Sequence, residues 1–135
     1  MPHFTEIKVR GYHLDLYGHV NNARYLEFLE AARWNLLEGS DLDWFMQHGY
    51  ALVVSRIDIR YLRPAGMGDE LLIETRLDRL LLRSGVIVQK IVNKASGKRV
   101  AEAEVTFAVL HPDQAGSLPI RGEIADRLQP LLKSS

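Results

Sequence analysis

The feature that most constrains this chain is one long stretch of helical period, Asn22 to Glu38, followed by four extended stretches that alternate apolar and polar residues. At a helical turn of 3.6 residues, Tyr25, Leu26, Phe28, Leu29, Ala32, Arg33, Leu36 and Leu37 fall on one face. Glu27, Ala31, Trp34 and Glu38 lie opposite. The apolar arc is wider than the stripe of an ordinary surface helix, so the helix is expected to be wrapped rather than laid on a surface. Asn21 is the expected N-cap and Gly39 the expected stop. Shorter helices are expected over Asp41 to His48 and Gly122 to Leu132.

The extended stretches supply what does the wrapping. Phe4 to Arg10 alternates with Ile7 and Val9 on one face. Ala51 to Leu62 is expected to put Val53, Ser55, Ile57, Ile59 and Tyr61 on one face. Glu70 to Asp78 presents Leu71, Ile73, Thr75 and Leu77, and Arg99 to Leu110 presents Ala101, Ala103, Val105, Phe107 and Val109. Ser84 to Val92 is apolar on both faces, which predicts a central strand. The connectors are short and rich in turn residues, so the strands are expected to run antiparallel. The expectation is an α+β domain over 1–135, one helix against a five-stranded antiparallel sheet. Pairing a sheet edge with a second copy would protect it, which predicts a homodimer.

Composition removes several alternatives. The chain has no cysteine, so a thiol nucleophile, a Cys-ligated zinc and a disulfide scaffold are excluded. Seventeen basic residues balance seventeen acidic ones, leaving no global field for nucleic acid or an anionic membrane. Met1 to Arg10 has no apolar signal-peptide core, and no apolar run approaches a membrane span. A cytoplasmic location is the resulting expectation.

The densest polar cluster is His13-Leu-Asp15-Leu-Tyr-Gly18-His19-Val-Asn21-Asn22, between the first strand and the helix. A helix start offers backbone N–H groups without intrahelical partners at the positive end of the dipole. A carboxylate beside it, with a histidine four residues on, has the parts for acyl transfer: a base or nucleophile and an oxyanion donor. The same residue types also serve plain turn and capping chemistry. A metal site built on His13, Asp15 and His19 is a third reading, with no further ligand nearby in sequence.

The run Asp15-Leu-Tyr-Gly18-His19-Val-Asn21-Asn22-Ala-Arg-Tyr25 resembles the signature of hot-dog-fold thioesterases of the 4-hydroxybenzoyl-CoA thioesterase family, D-x-D-x-x-G-H-V-N-N-x-x-Y. The order of elements and the Tyr61-Leu-Arg-Pro64-Ala-Gly-Met-Gly68-Asp69 turn agree with it. The resemblance implies a sheet curled round one central helix and hydrolysis of an acyl-CoA or acyl-carrier thioester without a cofactor. It implies Asp15 as catalytic base or nucleophile and the Asn22 backbone N–H as the group that polarises the carbonyl. His19 is implied in an orienting or polarising role, and Gly18, Asn21, Asn22 and Tyr25 as substrate-binding. It also implies a homodimer, with a dimer of dimers left open. In one departure, His13 stands where the pattern often has a first acid.

Two other functions compete. A hot-dog dehydratase or hydratase would need a D-x-x-N-x-x-H spacing, which is absent. A non-catalytic acyl-CoA-binding protein gains nothing from an ionised Asp15 beside a carbonyl site. The Gly66-Met-Gly68 pair fails as a dinucleotide loop because a strand follows it. No G-x-S-x-G elbow occurs. Arg33, on the apolar face, is expected to snorkel or to pair with a carboxylate.

Overall fold

A computed structural model describes residues 3–134; Met1 and Pro2, the start of the N-terminal stretch read above, lie outside the described residues. The elements in chain order are β1 (His3–Lys8), a 3-10 turn (Gly11–His13), α1 (Asn22–Glu38), α2 (Leu42–Gln47), β2 (Ala51–Tyr61), β3 (Glu70–Leu80), β4 (Gly85–Asn93), β5 (Arg99–Leu110) and α3 (Glu123–Ser134). The strands form one antiparallel sheet in the order β1-β3-β4-β5-β2.

The alternation of β3 and β5 reads directly into burial. Leu71, Ile73, Thr75 and Leu77 of β3, and Ala101, Ala103, Val105, Phe107 and Val109 of β5, all point into the core. β4 is central, between β3 and β5. Gly85, inside the extended stretch Ser84 to Val92, has no room for a side chain. It is the buried first residue of β4, paired with Phe107, and a Cβ there would come within 2.4 Å of the Phe107 ring.

β2 departs from the simple pattern. Its register against β5 shifts between Val54 and Arg56, so Ser55 is an extra residue in a bulge. Because side chains alternate with period two, one extra residue flips the phase. Leu52 pairs with Val109 ahead of the bulge, and Ile57 and Ile59 pair with Val105 and Ala103 beyond it. Leu52, Ile57 and Ile59 therefore pack against the core, and Val53, paired with Ala108, does not share their face. β2 is an edge strand, and none of its residues is fully buried.

The sheet covers a narrower face of α1 than its apolar arc offers. Tyr25, Phe28, Leu29, Ala32, Arg33 and Leu36 are buried, whereas Leu26 is exposed and Leu37 is half-buried. The helix leans on β1 and β3. On its other side, between its C-terminal half and the start of β2, a cavity of about 540 Å³ opens, floored by Leu77, Ile87 and Phe107 and flanked by α2 and α3. Arg33 takes no carboxylate partner among the described residues. Its Nη1 donates to Gln89 Oε1 at 3.1 Å, and the Gln89 amide donates in turn to the Leu29 carbonyl and to Thr75 Oγ1. This polar network is buried between helix and sheet, and the Gln89 amide in it is bonded at both ends.

Candidate active site

The loop between β1 and α1 is held from both sides. His13 is buried, with its ring edge-on to Phe28 and to Tyr12. Its Nδ1 accepts the Arg10 backbone N–H at 2.8 Å, which fixes the neutral ring with its proton on Nε2. Burial, helped by the Arg24 guanidinium, lowers the His13 pKa below its ordinary value. The His13 carbonyl accepts the Asn21 N–H at 2.9 Å. A residue standing where the family often has an acid thus clamps the loop against the helix by packing and neutral hydrogen bonds.

Further along, Leu14 and Val20 form an antiparallel bridge, and the Asp15 N–H donates to the His19 carbonyl at 2.7 Å. Gly18 closes the tip at φ 76°, a left-handed conformation that a side chain would strain. Asp15 Oδ1 accepts the backbone N–H groups of Tyr17 at 2.9 Å and of His19 at 3.2 Å. These are the bonds of an Asx turn, and they also orient the carboxylate. Oδ2 has no donor among the described residues.

The helix start completes the arrangement. Four backbone N–H groups at a helix N-terminus lack an intrahelical acceptor. Here the Asn21 N–H goes to His13, the Ala23 N–H to Asn21 Oδ1 at 2.9 Å, and the Arg24 N–H to the Asn21 carbonyl at 2.9 Å. The Asn22 N–H is the one left without an acceptor among the described residues. Asn22 also lines a cleft of about 250 Å³, together with Asp15, His19 and Tyr25. An oriented carboxylate and a vacant donor at the positive end of a helix therefore share one cavity.

The opposite wall comes from far along the chain. Tyr61, Leu62, Arg63 and Pro64, at the end of β2 and in the turn after it, close the cleft. Main-chain bonds tie this turn to the loop: Val20 N–H to the Ala65 carbonyl at 2.8 Å, and a bridge between His19 and Gly66. Asp69 Oδ2 accepts the Gly66 N–H at 2.9 Å and holds the turn's shape. The Tyr61 hydroxyl donates to the Asn22 carbonyl at 3.1 Å, fixing the helix's first residue. The sequence places Tyr61 on a strand face and at the head of the Tyr61–Asp69 turn, without bringing it to the helix start. The signal for its second role is its place at the head of the Leu-Arg-Pro-Ala-Gly turn.

The residues singled out from the sequence separate into two groups. Asp15, His19, Asn22 and Tyr25 meet at the cleft, whereas Gly18 and Asn21 are not part of its lining. Asn21 caps the helix and Gly18 turns the loop. The His19 ring is exposed and makes no hydrogen bond to Asp15; its main chain is what engages the site. Tyr25 contributes its ring to the cleft, packed on Tyr61 and Phe28, while its hydroxyl is buried without a hydrogen-bond partner. Burial raises the pKa of that phenol; the Ala65 backbone lies near enough to oppose the rise without reaching hydrogen-bond geometry. Among the described residues, no group of three or more His, Asp or Glu side chains is placed to hold a metal ion.

Comparison with known proteins places this geometry. A family profile described as the thioesterase-like superfamily matches residues 9–128. The chain belongs to that superfamily. It is 47% identical over 130 residues to the long-chain acyl-CoA thioesterase FadM of Escherichia coli K12, covering 96% of this chain and 98% of the relative. The solved structure of YbaW, a probable thioesterase from Escherichia coli, superposes with a TM-score of 0.91 at 45% identity, covering 96% of this chain and 98% of that one. A thioesterase from Thermus thermophilus, solved with coenzyme A and zinc, superposes with a TM-score of 0.79 at 28% identity, covering 96% of this chain and 94% of that one. The fold is the hot-dog fold, and the enzyme class is that of the thioesterases.

Proposed function

We propose that this thioesterase hydrolyses an acyl-CoA to the free acid and coenzyme A at the cleft between Asp15 and the start of α1. The observation that carries the reading is the Asn22 N–H, the one first-turn donor without an acceptor among the described residues, on the cavity that Asp15 also lines. In the reaction, the thioester oxygen sits on that N–H, where the helix dipole favours the charge that develops on it. Asp15 acts in one of two ways. As a base it takes a proton from water, whose oxygen bonds to the carbonyl carbon. As a nucleophile its free oxygen forms a mixed anhydride that water then opens. In both routes the C–S bond breaks, and the thiolate leaves and is protonated. Tyr61 serves by holding the Asn22 carbonyl, in the peptide next to the one that carries this N–H.

The kinship with FadM supports a coenzyme A thioester, and the cavity of about 540 Å³ beside the C-terminal half of α1 suits an aliphatic chain. Presentation of the same thioester on an acyl carrier protein is the alternative within this reading. A homodimer is part of the proposal: β2 is an edge strand with no fully buried residue, and Val53, Val54 and Tyr61 are exposed along it. The functional test is thiol release from a panel of acyl-CoAs of increasing chain length, read with a thiol reagent. Release above the uncatalysed rate is expected, strongest for longer chains, and a flat response across the panel would remove the reading. Sedimentation at micromolar concentration checks the dimer, and a stable monomer would remove that part.

A further inference from the structure

Arg33 does not belong to the chemistry described above. It is 8% exposed, yet no carboxylate lies within ion-pair distance of it among the described residues. Among those residues its hydrogen bond runs from Nη1 to Gln89. The remaining guanidinium donors, Nε–H and Nη2–H, form the side-on fork that matches a carboxylate with two parallel bonds. Neither nitrogen is sealed away in the protein without a partner, and Arg33 lines the cavity of about 540 Å³ beside α1. Arg33 is therefore part of that cavity's wall, with its fork unpaired among the described residues.

The rest of the cavity's described lining is almost wholly apolar: Trp34, Leu37, Phe45, Leu52 and Leu128 line it, and among the described residues Glu30 is the only other charged side chain there. A cation in such surroundings is costly unless an anion with good geometry compensates it. Glu30 acts on Arg33 through its field only, and burial is the larger influence, lowering the guanidinium's pKa. Arginine keeps its charge nonetheless. The Gln89 amide, anchored to Leu29 and Thr75, fixes the guanidinium plane so that its fork points one way.

We propose that this cavity binds a free aliphatic carboxylate, its carboxylate taken by the Arg33 fork and its chain lying along the apolar wall. The binding itself stands on Arg33 and the cavity alone. Its meaning for turnover rests on the thioesterase reading, in which a fatty acid is the product and would compete for the space of the acyl chain.

The test needs no turnover, so it fails or succeeds apart from that reading. The unmodified protein is titrated by calorimetry with dodecanoate and with dodecanol, which share the chain and differ in the head. Dodecanoate is expected to bind about tenfold or more tightly than the alcohol, the scale of hydrogen bonds to a charged group. Arg33→Met, checked for folding by circular dichroism, is expected to bind both alike at the alcohol's affinity. If that variant does not fold, the acid-to-alcohol ratio on the unmodified protein decides alone. Equal affinities overturn the proposal, as does a preference for the acid that survives in Arg33→Met. It is also overturned if neither ligand binds while Arg33→Met breaks an oligomer apart, because the guanidinium is then paired by a second copy.

Discussion

Replacing Asp15 by asparagine separates the loop geometry this carboxylate holds from the chemistry proposed for it. Its Oδ1 accepts two backbone N–H groups, from Tyr17 and His19, which is loop geometry. An asparagine amide oxygen occupies the same place and accepts the same two bonds. What is lost is the charge in them, worth about 1 kcal/mol or less at an exposed site. The variant is therefore expected to fold with a melting temperature within a few degrees of the parent. The chemistry does not survive the exchange. The oxygen left without a donor becomes an amide nitrogen, which neither takes a proton from water nor attacks a carbonyl. Removing a general base typically costs at least about a hundredfold, which is about 2.7 kcal/mol of transition-state stabilisation. The Asn22 N–H and its peptide remain in place, so substrate binding is expected to change little. The assay is steady-state thiol release from a well-turned-over acyl-CoA, beside a thermal melt of the same preparation. Activity within a few-fold of the parent, in a protein that melts normally, would refute the assignment and return Asp15 to a loop cap.

Other perturbations test neighbouring parts of the argument. His19→Ala keeps every main-chain bond of the loop, so a fall in kcat would assign the ring an orienting role and an unchanged kcat would confine His19 to bracing. Tyr61→Phe removes the donor to the Asn22 carbonyl; a loss of about 1 kcal/mol in stability or less, with a larger loss in kcat than in KM, is expected if that bond steadies the oxyanion donor. Gly85→Ala drives a Cβ into the Phe107 ring, and denaturant melts are expected to show about 1–3 kcal/mol of destabilisation. His13 has its pKa lowered in the folded chain, so the unfolded chain binds the proton more readily. Stability is then fully present above the ordinary value of 6.5 and declines as pH falls below it, by at most about 1.4 kcal/mol per pH unit. Melts from about pH 8 to about pH 5 should show this slope, and His13→Gln should flatten it.

What could be read from the sequence followed the range of the interactions involved. β3 and β5 are interior strands with a neighbour on each side in the sheet order, so their alternation carries straight into burial. β2 alternates just as cleanly on paper, but the bulge at Ser55 shifts its phase, and nothing local marks the extra residue. The apolar arc of α1 was visible, whereas the part of it that one chain covers depends on the helix leaning toward β1 and β3. Asp15 and Asn22 were legible because one contiguous stretch of loop and cap sets both. Tyr61 and the turn behind it were not, because their place beside Asn22 is a tertiary fact. Arg33 was expected to snorkel or meet a carboxylate. It meets Gln89 instead, which only the packing of α1 on β4 could reveal.

The two walls of the cleft are fastened to each other by main-chain atoms: Val20 to Ala65, His19 to Gly66, and Val9 to Gly68 and Asp69. Such fastenings are indifferent to most side-chain identities. Leu62, Arg63 and Pro64 form the cleft's rim without being part of its frame. Exchanges there can change the cleft's rim while the spacing between the Asp15 carboxylate and the start of α1 stays as it was. A lineage built on this frame can therefore vary its rim and leave the frame intact.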